Sequence, residues 1–175
     1  MPELEVPPTD DEIIAYMRKI ASHHSWEEMP MLFLTGWEDG ELKGGTIVGL
    51  DLQQKETPSA IMYFAAEALS KGERPFLLLY TFEGWMVRVG PGTSAEEEAE
   101  IDRQTEEHQL HLREDAVEQY IMHAVTADGR NFTGTKGRDT GISVQTSAVT
   151  EADGYLVAAL QSSATIAGRV RRGDV

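Results

Sequence analysis

The chain has 175 residues, enough for one domain with a substantial core, and its composition is ordinary for a globular protein. It contains no cysteine, which excludes disulfide scaffolds, thiol catalysis and thiolate metal sites. The net charge of −15 disfavours non-specific binding to nucleic acids or anionic membranes. The acidic side chains are concentrated in residues 1–127, which contain 25 acidic and 9 basic residues. This surplus serves solubility, or it forms an acidic face for a basic partner.

The sequence predicts a soluble, cytoplasmic protein. No apolar run reaches the roughly 18 residues of a membrane helix. Met1–Asp11 has no basic region followed by an apolar one, so it is not read as a signal peptide.

The first third of the chain predicts helix, hairpin and helix. Residues 1–8, with three prolines, are expected to form an extended arm. Thr9 and Glu12 form a capping box that begins a helix ending near Ser22. His23 and His24 follow it and are interpreted as capping or surface residues. Strands over 30–37 and 45–52 flank an Asp-Gly hairpin signal, and a second helix runs from Thr57-Pro58 to Gly72.

The longest strand-forming run, residues 75–89, is expected to lie at the centre of the sheet. Glu83 and Gly84 interrupt its apolar residues. They form either a tight turn within a hairpin or a bulge in one long strand. The bulge is favoured, because glutamate is a poor first residue for a primed turn.

The second half predicts an acidic helix over 95–112, begun by the box Ser94 to Glu97. A hairpin follows, with strands over 118–126 and 131–135 joined at Asp128-Gly129. The stretch to about residue 150 is interpreted as a loop or weak strand, and residues 154–160 as a helix. Residues 9–165 are therefore predicted to form one α+β domain, and residues 166–175 a basic, frayed tail. Its sheet is mixed but mostly antiparallel, with about five to six strands and three to four helices.

Residues 82–138 resemble a group of uncharacterised small proteins of actinobacteria and their phages. The likeness consists of Glu83-x-Trp85, a Glu/Arg-rich helix, His108 and His111, a strand with Glu118, an Ala-Val-Thr-Ala-Asp-Gly turn and Lys136-Gly137-Arg138. The chain departs from the group's His-Pro-Asp-Arg link, reading His-Leu-Arg-Glu-Asp at 111–115. The resemblance implies a source, such as a phage gene expressed in a bacterial host, more than an activity. The helix–hairpin–helix–strand start is also similar to roadblock and longin domains, which are dimerising platforms.

Candidate chemical groups are few. His108 and His111 lie three residues apart, on one face of the predicted helix, but their spacing is not that of a metalloprotease, and no metal site is assigned. Glu83 and His123 are the weak catalytic candidates: they would form an acid–base pair if the sheet brought them together. The simpler interpretation places Glu83 at an edge or bulge facing water. No Walker, Rossmann or Gly-x-Ser-x-Gly motif occurs, so no cofactor is expected.

Three functions stay open. The first is a non-catalytic protein–protein interaction module, in which Glu96, Glu97, Glu100 and Glu107 of the acidic helix contact a protein partner or a second copy of the chain. The second is a metal-dependent or acid–base hydrolase using the histidines and Glu83. The third is an acidic DNA mimic, which requires carboxylates spaced like phosphates along one face.

Overall fold

The computed structural model describes residues 6–52, 54–146 and 154–174. The described residues form four helices and six strands. The helices are α1 (Asp10–Ser22), α2 (Thr57–Ser70), α3 (Ala95–Glu106) and α4 (Gly154–Arg172). The strands are β1 (Met31–Glu38), β2 (Glu41–Gly49), β3 (Pro75–Met86), β4 (Val117–Thr126), β5 (Asn131–Gly137) and β6 (Ile142–Thr146). Two short 3₁₀ turns cover Gln54–Glu56 and Leu110–Leu112.

The six strands form one antiparallel sheet in the order β2-β1-β3-β4-β5-β6, with β3 near its centre. Alternate β3 residues face opposite sides of the sheet. Leu77 and Leu79 pack in the cluster that contains α1, whereas Leu78 and Tyr80 pack in the cluster that contains α2 and α4. The α+β prediction is confirmed, and the sheet is antiparallel throughout the described residues.

The bulge favoured at Glu83-Gly84 is wrong, and so is the alternative of a turn. β3 is one continuous strand of 12 residues, paired with β4 from Leu77 opposite Thr126 to Met86 opposite Val117 without a shift in register. Gly84 also has no positive φ. β4 pairs with this strand from Leu77 to Met86, whereas β1 pairs with it only as far as Thr81.

Other boundaries also differ from expectation. The first hairpin is tight, since Glu38 pairs with Glu41 across Asp39 and Gly40, which both have positive φ. The acidic helix ends at Glu106 rather than residue 112. The reason is His108, whose φ of 56° is left-handed. The main-chain N–H groups of His108 and Gln109 donate back to Thr105 and Gln104, a Schellman ending.

The C-terminal helix extends further than predicted. α4 continues to Arg172, through most of the stretch expected to be a frayed tail. Ala164 and Ala167 of this helix are buried, and Arg171 donates to the Arg74 carbonyl at 2.7 Å, so packing overrides the polarity of the segment. Near the other end, the Val6 carbonyl accepts from the Trp37 indole at 2.8 Å. No described helix is long and apolar enough to cross a membrane.

Candidate binding site at the end of the sheet

Glu83 holds the loop that joins α1 to β1. Its side chain is 16% exposed, and its Oε1 accepts from His24 Nε2 at 2.8 Å. The same oxygen accepts from the main-chain N–H groups of Glu27 at 2.7 Å and Glu28 at 3.2 Å. Glu27 has a φ of 72°, so this acceptor fixes an unfavourable backbone conformation. Glu83 is therefore neither a bulge residue nor a freely solvated carboxylate.

His24 is the buried partner that sequence reasoning missed. Its side chain is fully buried, and its ring stacks on Tyr120 with 3.7 Å between centroids. Trp26 meets the same ring edge-on at 5.0 Å, and the Arg138 guanidinium lies 4.6 Å from the Trp26 ring. His24 Nδ1 is buried without a hydrogen-bond partner among the described residues. The sequence signal for this partner was Glu83 itself, because a carboxylate within an apolar strand needs a hydrogen-bond donor nearby.

A pocket of about 400 Å³ opens at the end of β3, on the side of the sheet covered by α2 and α4. Its floor consists of Tyr80, Phe82, Gly84 and Ile121. The absence of a side chain at Gly84 leaves this space open. A Cβ there would lie 3.3 Å from Ile121 Cδ1 and 3.4 Å from the Phe82 ring. Glycine within a strand commonly marks the close approach of another group.

The walls of the pocket come from segments distant in sequence. Apolar walls are contributed by Pro30, Leu52, Leu110 and Leu156. Thr105, His108 and His111 add the polar groups, from the end of α3 and the following turn. Such a cavity, mostly apolar with a few polar groups, is typical of a ligand or side-chain binding site.

Exposed apolar side chains border this pocket. Trp85 lines it and is 42% exposed, and its ring lies 6.4 Å from that of His111. Met86 and Val117 pair across β3 and β4 and are 44% and 55% exposed. Leu112, next to His111, is 68% exposed. We call the pocket and these four residues the sheet-end surface. Exposed apolar groups beside a cavity indicate an interaction site.

The acidic helix α3 lies beside the sheet-end surface, but most of the carboxylates expected to contact a partner are already paired. Arg103 binds both Glu100 and Glu107, and its hydrogen bond holds the pKa of Glu100 below the usual range. Glu97 lies 3.5 Å from Arg113. Glu96 is exposed. Three of the four predicted contact residues therefore lie in ion pairs within the chain.

A second set of acids on α3 has no ion pair with any described residue. Glu98, Asp102 and Glu106 are exposed and recur at intervals of four, so they form one stripe. Asp102 is also three residues before Thr105 and shares its helix face. Since Thr105 lines the pocket, the unpaired stripe runs along the pocket side of α3.

The catalytic candidates Glu83 and His123 do not meet. Glu83 is opposite Tyr120 and His123 opposite Tyr80, so their side chains leave opposite faces of the sheet. His123 instead lies near the Phe82 ring, 6.0 Å between centroids. His108 and His111 do converge on the pocket. No group of three or more His, Asp or Glu residues that could hold a metal occurs in the described part of the chain.

Comparisons with known proteins give no relative: no protein-family model, no curated protein and no solved structure matches the chain.

Proposed function

We propose that the protein is a non-catalytic protein-interaction module. Its sheet-end surface binds a basic segment of a partner protein, and one large apolar side chain of that segment enters the pocket. The observation that carries this proposal is the pocket of about 400 Å³ with Trp85, which is 42% exposed, in its lining. Anchors of this kind, in pockets that exclude water, supply most of the binding energy at protein interfaces.

Charge supports a basic partner. The stripe of Glu98, Asp102 and Glu106 lies on the pocket side of α3 without cations of its own among the described residues. Carboxylates at the rim of an interface steer an oppositely charged partner and select against acidic ones. A short segment buries less than a standard interface, so we expect affinity in the micromolar range.

The polar groups at the site favour binding over acid–base catalysis. Glu83 also lines the pocket, but its Oε1 already accepts from three donors of the α1–β1 loop. His123 lies on the other face from the Glu83 side chain. The DNA-mimic alternative is also less favoured, since Arg103 and Arg113 interrupt the carboxylates that would have to imitate phosphates.

Selection from a random library of displayed 12-residue peptides tests the proposal. We expect the selected peptides to combine Lys or Arg with at least one aromatic or large aliphatic residue. Gly84→Leu fills the pocket floor and should weaken peptide binding by about 10-fold or more, which corresponds to a loss of roughly 1.4 kcal/mol of binding free energy. The matched control is Gly141→Leu, because Gly141 has open space around it and no positive φ.

Denaturant unfolding of both variants checks that they are folded. The proposal is wrong if selection yields no basic, apolar-anchored peptide. It is also wrong if folded Gly84→Leu protein binds the selected peptides as well as the Gly141→Leu control.

A further inference from the structure

Hydrogen bonding along β3 alternates between its two neighbours. The N–H of Ala127 donates to the Phe76 carbonyl at 2.7 Å, so Phe76 directs its main-chain groups toward β4. In an antiparallel strand each residue directs both groups to the same neighbour, and successive residues alternate. Because the β3–β4 register is continuous, Gly84 and Met86 also face β4. Glu83 and Trp85 therefore direct their N–H and C=O groups toward the β1 side.

On the side of β1, β3 extends beyond the end of its neighbouring strand. β1 begins at Met31, which pairs with Thr81, whereas β3 remains paired with β4 as far as Met86. Continuing the register would place Met29 opposite Glu83, but no such pairing forms. No main-chain hydrogen bond from the described residues reaches the two N–H and two C=O groups of Glu83 and Trp85. These four groups form an open edge within the sheet.

A local feature keeps β1 from covering this edge. Pro30, which precedes β1, directs its main-chain carbonyl toward β2, where it accepts from the Leu50 N–H at 2.7 Å, so it adds no bond to β3. The amides of Glu27 and Glu28 donate to the side chain of Glu83 instead of to its main chain. The pocket lies in the resulting space, since Pro30, Glu83, Gly84 and Trp85 all line it. The open edge and the pocket are thus parts of the same groove.

We infer that the partner segment binds as an added β-strand on this edge, continuing the line of β1. This inference rests on the proposed function and specifies its geometry. Residues 83–86 offer about 13 Å of strand at 3.3 Å per residue, enough for three or four partner residues. Alternate partner residues would direct N–H and C=O to Glu83 and Trp85. Strand addition derives affinity from main-chain bonds and specificity from alternate side chains in pockets.

The experiment uses the tightest peptide from the library selection. Its main-chain nitrogens are methylated one at a time, which removes one N–H donor in each variant. An added strand predicts that methylation at every second position within the bound segment weakens binding by roughly 10-fold, since about 1.4 kcal/mol is lost with each bond. Methylation at the positions between should change binding by less than about 3-fold.

Amide hydrogen exchange of the full chain gives an independent readout. On addition of the same peptide, the Glu83 and Trp85 amides should slow by about 10-fold or more, whereas those of Gly84 and Met86, already bonded to β4, should change little. Absence of alternation among the methylated peptides, or Glu83 and Trp85 amides that are already protected in the free protein, would overturn the strand addition. If peptides bind the sheet-end surface but show either result, the proposed function stands and only this geometry fails. If no peptide is selected, both fail.

Discussion

Replacement of Glu83 by alanine should release the α1–β1 loop and destabilise the protein. The mutation removes the acceptor of three hydrogen bonds, from His24 Nε2 and from the amides of Glu27 and Glu28. His24 is fully buried, so its orphaned donor costs about 1–3 kcal/mol. The two amides belong to exposed residues and regain water, which limits their loss to about 0.5–1 kcal/mol each. We expect a total of about 3 kcal/mol.

Urea unfolding followed by tryptophan fluorescence measures this loss, and Trp26 beside His24 reports on the loop directly. A loss of about 3 kcal/mol corresponds to a fall in melting temperature of about 6–12 °C for a chain of this size. Glu83→Gln retains an acceptor oxygen without the charge and should lose roughly half as much.

The matched control is Glu96→Ala, an exposed glutamate on α3, which should stay within about 0.5 kcal/mol of the native protein. A loss below about 1 kcal/mol for Glu83→Ala would show instead that other contacts hold His24 and the loop.

Three further predictions concern charge and titration. Asp102→Lys should weaken peptide binding several-fold at low salt and little at high salt, whereas Glu96→Lys, on another side of α3, should not, as isothermal titration calorimetry would show. Burial opposes ionisation of Asp128, but hydrogen bonds from Arg130 and Thr126 lower the pKa of this carboxyl overall. The ionised Asp128 therefore stabilises the fold above about pH 4, and this stabilisation is lost as the pH falls. In urea unfolding, Asp128→Asn should destabilise the protein more at pH 6 than at pH 2.5. Burial raises the pKa of Tyr80 despite a hydrogen bond with Thr57, so the stability of the protein should fall above about pH 10. Thermal melts at pH 9 and 11 should show a smaller loss of stability for Tyr80→Phe than for the native protein.

The outcomes that would contradict these three are equally specific. If Asp102→Lys and Glu96→Lys weaken peptide binding equally, the stripe of Glu98, Asp102 and Glu106 does not contact the partner. A pH-independent cost of Asp128→Asn would show that its ionised form is not the stabilising one. If Tyr80→Phe protein loses as much stability at high pH as the native protein, the loss comes from other groups. Tyr120 is one such group, because burial also raises its pKa.

Local signals in the sequence predicted most of the elements. The Thr9–Glu12 capping box and the Asp128-Gly129 hairpin are both confirmed, because each depends on residues only a few positions apart. The helix end at His108 was missed because a left-handed histidine has no strong sequence signature. α4 extends further than its composition suggests because α2 and β3 cover its apolar face.

The site was only partly predictable. Glu83, Trp85, His108 and His111 stood out in the sequence, and all four line the pocket. Their convergence depends on strand register and on where α3 ends, which local patterns do not determine. The burial of His24 depends on a contact across 59 positions, from the α1–β1 loop to β3. The open edge of β3 follows from the relative lengths of β1 and β3, a tertiary property.

Nuclear magnetic resonance mapping of a selected basic peptide on the isotopically labelled protein tests the central claim most directly. Chemical-shift changes should concentrate at Gly84, Trp85 and the turn Leu110–Leu112, and Gly84→Leu should weaken the binding that they report by about 10-fold or more. Shifts centred elsewhere, for instance on the exposed edge of β2, would contradict the assignment of the sheet-end surface as the binding site.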